Sequence, residues 1–121
     1  MSRLQLMIKP MGKPRMVRSD RYRKRPCVVK YWDYKDEILR QAKDFDLGDQ
    51  LIVRFYIPMP KSWSKKKKVL MMFKPHQQKP DVDNMLKGIM DIFCKDDSHI
   101  WDVECMKVWS DRGSIVIINK G

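Results

Sequence analysis

The chain has 121 residues carrying 26 Lys and Arg against 15 Asp and Glu, a formal net charge of +11, and is 43% hydrophobic. That length supports one core, so residues 1–121 are expected to fold as a single domain, and a positive surplus on this scale points to nucleic acid or an anionic membrane surface. Membrane is the weaker option: no apolar run approaches the ~20 residues that span a bilayer, the opening MSRLQLMIKP lacks a signal-peptide core, and the cytoplasm is the expected location. Cys27, Cys94 and Cys105 are scattered, with only His76 and His99 to join them, which argues against zinc and disulfides alike. Cys94 and Cys105 are expected to pack as small apolar groups.

Leu4–Ile8 alternates loosely and predicts a first strand that ends before Pro10. From Lys9 to Lys30 the basic residues Lys9, Lys13, Arg15, Arg18, Arg21, Arg23, Lys24, Arg25 and Lys30 face a single acid, Asp20. Tyr22, Tyr31 and Trp32 interleave with them, which suits phosphate with some base or sugar contact; a solvated arm is the plainer use of such a run. The spacing of Tyr34, Ile38, Leu39, Ala42 and Phe45 predicts a helix from Trp32 to Phe45, stopped at Leu47-Gly48. Leu51–Ile57, LIVRFYI, is nearly continuous in β-favouring apolar residues, as a buried central strand would be, and Pro58 and Pro60 end it. Residues 61–79 form a second basic patch, Lys61, Lys65, Lys66, Lys67, Lys68, Lys74 and Lys79, without an acid. Ser62–Lys68 begins a short helix or belongs to a loop, and Met71, Met72 and Phe73 argue against full exposure, with a dimer contact as one use for them.

The stretch from Lys79 to Asp102 gathers Asp81, Asp83, Asp91, Asp96, Asp97 and Asp102 into an otherwise basic chain. After Pro80, Met85, Leu86, Ile89, Met90 and Phe93 recur as the apolar face of a helix, with Asp81 extended just ahead of it. Asp83, Lys87 and Asp91 share the other face at four-residue spacing, so Lys87 is expected to pair with both acids. Lys95–Ser98 reads as a turn, Ile100–Trp109 as a strand, and Ser110–Gly113 as a turn into a final strand, Ser114–Ile118, the two strands forming a hairpin. Any one of these acids serves as a cap or turn former. Several around one short helix repel one another, however, and capping uses only one or two. Carboxylates inside a basic chain are what a divalent cation needs beside a phosphate, and a nuclease is the chemistry that follows. Asp81 and Asp83 are candidate ligands, Lys87 a candidate stabiliser of the pentacovalent phosphate, Asn84 a group to fix a carboxylate or phosphate, and Asp91 a support. No Gly-rich phosphate loop or nucleophile elbow is present, so no nucleotide cofactor is expected.

The order Asp81-x-Asp83-Asn84, then Lys87, then Asp96-Asp97, resembles the RusA family of Holliday junction resolvases, and the flanking segments fit that family along nearly the whole chain. One departure is the link between helix and acid pair, only Cys94 and Lys95 here, where some relatives carry a longer, Gly-containing connection. The resemblance implies an α/β (α+β) fold, a small mixed β-sheet flanked by helices, in a homodimer that acts on branched DNA with Mg²⁺ or Mn²⁺ during recombination and repair, often in a phage or prophage context. It also makes Asp97 the catalytic acid of the pair, which gives a catalytic set of Asp81, Asp83, Lys87 and Asp97 and a metal set of Asp81, Asp83 and Asp97, with Asp96 a weaker ligand. DNA would be held by Lys13, Arg15, Arg18, Arg21, Arg23, Lys24 and Arg25 and by Lys65, Lys66, Lys67, Lys68, Lys74 and Lys79. A four-way junction has to be cut at two symmetric places, which independently favours a twofold dimer. Two other classes fit the same residues: a basic nucleic-acid-binding protein without activity, and a metal nuclease that acts on flaps or forks.

Overall fold

A computed structural model describes residues 2–14 and 25–120; Arg15, Arg18, Arg21, Tyr22, Arg23 and Lys24 of the first basic segment lie outside them. The chain opens with β1 (Ser2–Leu6), slightly ahead of the predicted strand, and continues after the basic segment into α1 (Pro26–Gln41). Pro26 sets the start of this helix: its ring fixes a helical φ and its missing N–H is one the first turn does not need, while Arg25 before it is extended. The helix therefore begins earlier than its apolar spacing predicted and ends at Gln41, burying Val28, Tyr31, Tyr34 and Ile38. Phe45 lies past its end and packs edge-on against Phe93.

β2 (Gln50–Pro58) is central but not buried on both faces as its composition suggested. Leu51, Val53, Phe55 and Ile57 are buried, whereas Ile52, Arg54 and Tyr56 alternate with them half-exposed. The short helix α2 (Lys65–Met71) follows, capped by Ser64, whose hydroxyl accepts the Lys67 amide at 3.1 Å. Then come α3 (Val82–Phe93), β3 (Asp102–Ser110) and β4 (Ser114–Asn119). The sheet order is β1-β4-β2-β3, with β2 and β3 parallel and the other neighbours antiparallel, so the sheet is mixed as expected.

The expected hairpin of the last two strands does not form. β3 pairs with one edge of β2 and β4 with the other, and the link at 111–113 crosses the end of β2. Turn-forming residues cannot distinguish the two arrangements, because a link of this length spans two inter-strand spacings, about 9.5 Å, as readily as it closes a tight turn. Space is short at that crossing: a Cβ on Gly113 would lie 2.6 Å from the Cα of Lys9.

Parallel strands cannot be joined by a tight turn, so β2 must be linked to β3 by a crossover, and α2 and α3 lie within it. α3 closes the core with α1: Met85, Ile89 and Ile92 join Tyr31, Tyr34 and Ile38 over Val53, Phe55 and Ile117. Cys94 and Cys105 pack partly buried against this cluster, as expected, and burial pushes the Cys105 thiol up to about 11. Among the described residues, no helix is long and apolar enough to cross a membrane.

Candidate active site

The apolar face of α3 fixes which of its side chains reach solvent. With Met85, Ile89 and Ile92 buried, Asp83, Lys87 and Asp91 are turned outward or to the rim. Asp81 is the N-cap residue, extended as expected (φ −67°, ψ 149°), yet its carboxylate makes no capping bond. Asp81 and Asp83 are both exposed and, among the described residues, neither side chain has a hydrogen-bond or ion-pair partner.

Lys87 pairs differently from the expectation drawn from helical spacing. Its ammonium lies 2.8 Å from Asp97 Oδ2 and 3.2 Å from Asp91 Oδ1, with no bond to Asp83. The competitor comes from outside the helix: α3 stops at Phe93, the backbone is already extended at Cys94, and the short link returns Asp97 to the middle of the helix. The brief connection therefore reaches. Asp96, its neighbour, points elsewhere and accepts the Ser98 amide at 2.9 Å in a local turn that holds its carboxyl below the usual range.

Charge is balanced across this group. The Asp97 and Asp91 hydrogen bonds raise the Lys87 pKa, so the ammonium stays protonated. Burial works to raise Asp91, but hydrogen bonds from Lys13 and Lys87 outweigh it and hold the carboxyl below its ordinary value. Lys13, expected among the phosphate-binding bases, is here ion-paired: its ammonium lies 2.5 Å from Asp91 Oδ2. Asn84 is likewise engaged, its Oδ1 accepting the Lys13 amide at 3.1 Å.

Two further residues build the site without having been singled out by motif. Lys107 of β3 donates to the backbone carbonyls of Gln78 and Pro80, the latter at 2.7 Å, and so holds the cis Lys79-Pro80 segment that leads into Asp81. A lysine on the same face of β3 as Val103, Cys105 and Trp109 was the available signal. Gly88 lets the N-terminal segment approach the helix; a Cβ there would stand 3.4 Å from Lys13 Cβ, and its carbonyl accepts the Tyr31 hydroxyl at 3.1 Å.

The donor set suits a hard divalent ion in kind, all carboxylate oxygen with two acids unengaged. Among the described residues, no three acids, histidines or cysteines converge on one point in a form that could hold a metal. Of the second basic patch, Lys65, Lys66, Lys67 and Lys68 form the first turns of α2, with Lys67 lying 4.2 Å over the Trp63 ring. Lys74 pairs through its backbone with Trp109, and exposed Lys79 directly precedes the site. Arg25 stands at the start of α1.

A family model for endodeoxyribonuclease RusA matches residues 7–118. The chain is also 36% identical over 74 residues to the uncharacterized protein YqaN of Bacillus subtilis (strain 168), an alignment that covers 54% of this chain and 52% of that protein. The chain thus spans about half the length of the curated relative it matches. Because the family match runs from the end of β1 to the end of β4 and takes in every acid described above, the chain belongs to the endodeoxyribonuclease RusA family.

Proposed function

We propose that the chain is a structure-selective endodeoxyribonuclease that resolves four-way junctions and other branched DNA by paired symmetric nicks, as a homodimer, with Mg²⁺ or Mn²⁺. The observation that carries this reading is the meeting of Lys87 with Asp97, beside a helix whose first residues offer two acids unpaired among the described residues. Asp81 and Asp83, unengaged among the described residues, would hold the cation, with Asp97 joining them on leaving Lys87, since the three do not converge on one point in this structure, while Asp96 is occupied by its own turn. When bound, Mg²⁺ or Mn²⁺ supplies Lewis acidity toward the phosphate and a more acidic water.

The chain's own contribution centres on Lys87. Kept protonated by its two carboxylates, it offers a fixed positive charge to the oxygens of a phosphate as negative charge grows on them. Asn84 acts at one remove, holding the backbone of Lys13 to α3. The lysines of α2, with Lys74 and Lys79, draw the phosphate backbone in, and two equivalent sites are needed to cut a nearly twofold substrate twice.

The test is a synthetic four-way junction, with linear duplex and flap controls, in Mg²⁺ or EDTA. Binding is expected in both conditions and cleavage in Mg²⁺ alone. Asp81→Asn, Asp83→Asn and Asp97→Asn should each slow cleavage on the order of 100-fold or more while junction binding is kept or strengthened. Asp102→Asn is the control, since Asp102 pairs with Lys120 at 3.1 Å and takes no part in the group around Lys87. Cleavage in excess EDTA, or wild-type rates in all three variants, would overturn the assignment of these acids to a metal, and junction binding with no cleavage in Mg²⁺ or Mn²⁺ would leave a basic protein that binds DNA without cutting it.

A further inference from the structure

Gly12 and Lys13, within the first basic segment, are seated on α3 and the residue ahead of its cap at several points. The Lys13 amide donates to Asn84 Oδ1, a Cβ on Gly12 would come within 2.8 Å of Pro80 Cβ, and Gly88 leaves room for the Lys13 side chain to cross the helix. At the end of that path the Lys13 ammonium takes Asp91 Oδ2, and the other oxygen of the same carboxylate, Oδ1, faces Lys87. Lys87 in turn reaches Asp97. Four charges of alternating sign thus run in series, Lys13, Asp91, Lys87, Asp97.

We propose that Lys13 is a positioning residue for Lys87 rather than one of the phosphate-binding bases of its segment. A carboxylate with both oxygens free can take an ammonium into a two-oxygen contact. Asp91 cannot, because Lys13 occupies one oxygen and fixes the plane of the group. Lys87 is left with a single oxygen of Asp91 and shares itself with Asp97, which holds the ammonium at the Asp97 side of the helix face. The Lys13 side chain, paired with Asp91, is 31% exposed, whereas that of Lys87 is 57% exposed and open to a phosphate. This inference rests on the proposed role of Lys87 at the phosphate.

The experiment uses Lys13→Met, which keeps the length and the packing against Gly88, and Lys13→Arg, which restores the charge. Single-turnover cleavage of a saturating junction should fall on the order of 10- to 100-fold in Lys13→Met, as a misplaced group would cause, and recover largely in Lys13→Arg. The junction Kd without metal, and the slope of its logarithm against log salt, should not change. Asp91→Asn should give the same defect, and the double variant should be no slower than either single one, because both remove the same support. An unchanged cleavage rate at saturation, with the salt slope reduced by about one, would make Lys13 a phosphate contact and overturn the proposal. Lysine ammonium ¹⁵N–¹H spectra of the free protein decide independently of activity: the Lys87 resonance should move in Lys13→Met, and a Lys87 resonance that stays put overturns it. If the wild type cuts no branched DNA, the functional reading fails on that result, and the spectra still judge the link between Lys13 and Lys87.

Discussion

Asp96 and Asp97 are adjacent in sequence and point to different partners, one to the Ser98 amide of its own turn and one to Lys87 across the link. That division depends on where α3 stops, so sequence spacing alone brought both acids near the site and could not assign them. Lys13 was harder to place, since it is one of many bases in its segment and its partner lies 78 positions away, a separation that no local pattern encodes. His76 makes a residue-level prediction of another kind. Its ring is buried 4.4 Å from Trp109, with Nδ1 unpartnered among the described residues, and burial, with nearby Lys107, lowers its pKa from 6.5. The unfolded chain therefore takes up the proton first as pH falls, and the histidine costs stability below about pH 6.5 while costing none above it. Urea midpoints should fall between pH 7.5 and pH 5.5, and His76→Asn should flatten that difference. An equal fall in the variant would show that His76 is not its source.

At the scale of elements, α3 was legible because its apolar period of 3.6 is strong, and β2 because its run of β-favouring residues is nearly continuous, although that run did not show that only one face is buried. The pairing of strands was not. β3 and β4 each carry apolar residues suited to flanking β2, and nothing local states that β2 inserts between them. α2 was left open between helix and loop, and Ser64 resolves it: its cap satisfies the Lys67 amide and helps offset the repulsion among the lysines that follow. Lys65 and Lys66 at its start are exposed, whereas Lys67 packs on Trp63. The double substitution Lys65→Ala/Lys66→Ala should weaken junction binding without slowing cleavage at saturation, and should reduce the salt slope by about 2 if each lysine meets one phosphate. A slope equal to that of the wild type would remove α2 from the DNA-binding surface.

For the whole molecule, a charge of +11 on 121 residues favours association with DNA over association with its own kind at low salt. Dimerisation is therefore best measured near physiological ionic strength, where sedimentation should give twice the mass of one chain. A monomer that still places two coordinated nicks in a junction would contradict the dimer. The sheet also imposes an order of assembly. Among the described residues, residues 2–6 of β1 find their strand partners in residues 115–119 of β4, and the segment that carries Lys13 continues directly from β1. During synthesis the first strand must therefore wait, unpaired, until the final one emerges. The strand that anchors the Lys13 segment is then among the last to be paired, so a nascent or truncated chain that lacks β4 would already carry Asn84 and Asp91 while the segment that brings Lys13 to them was still untethered.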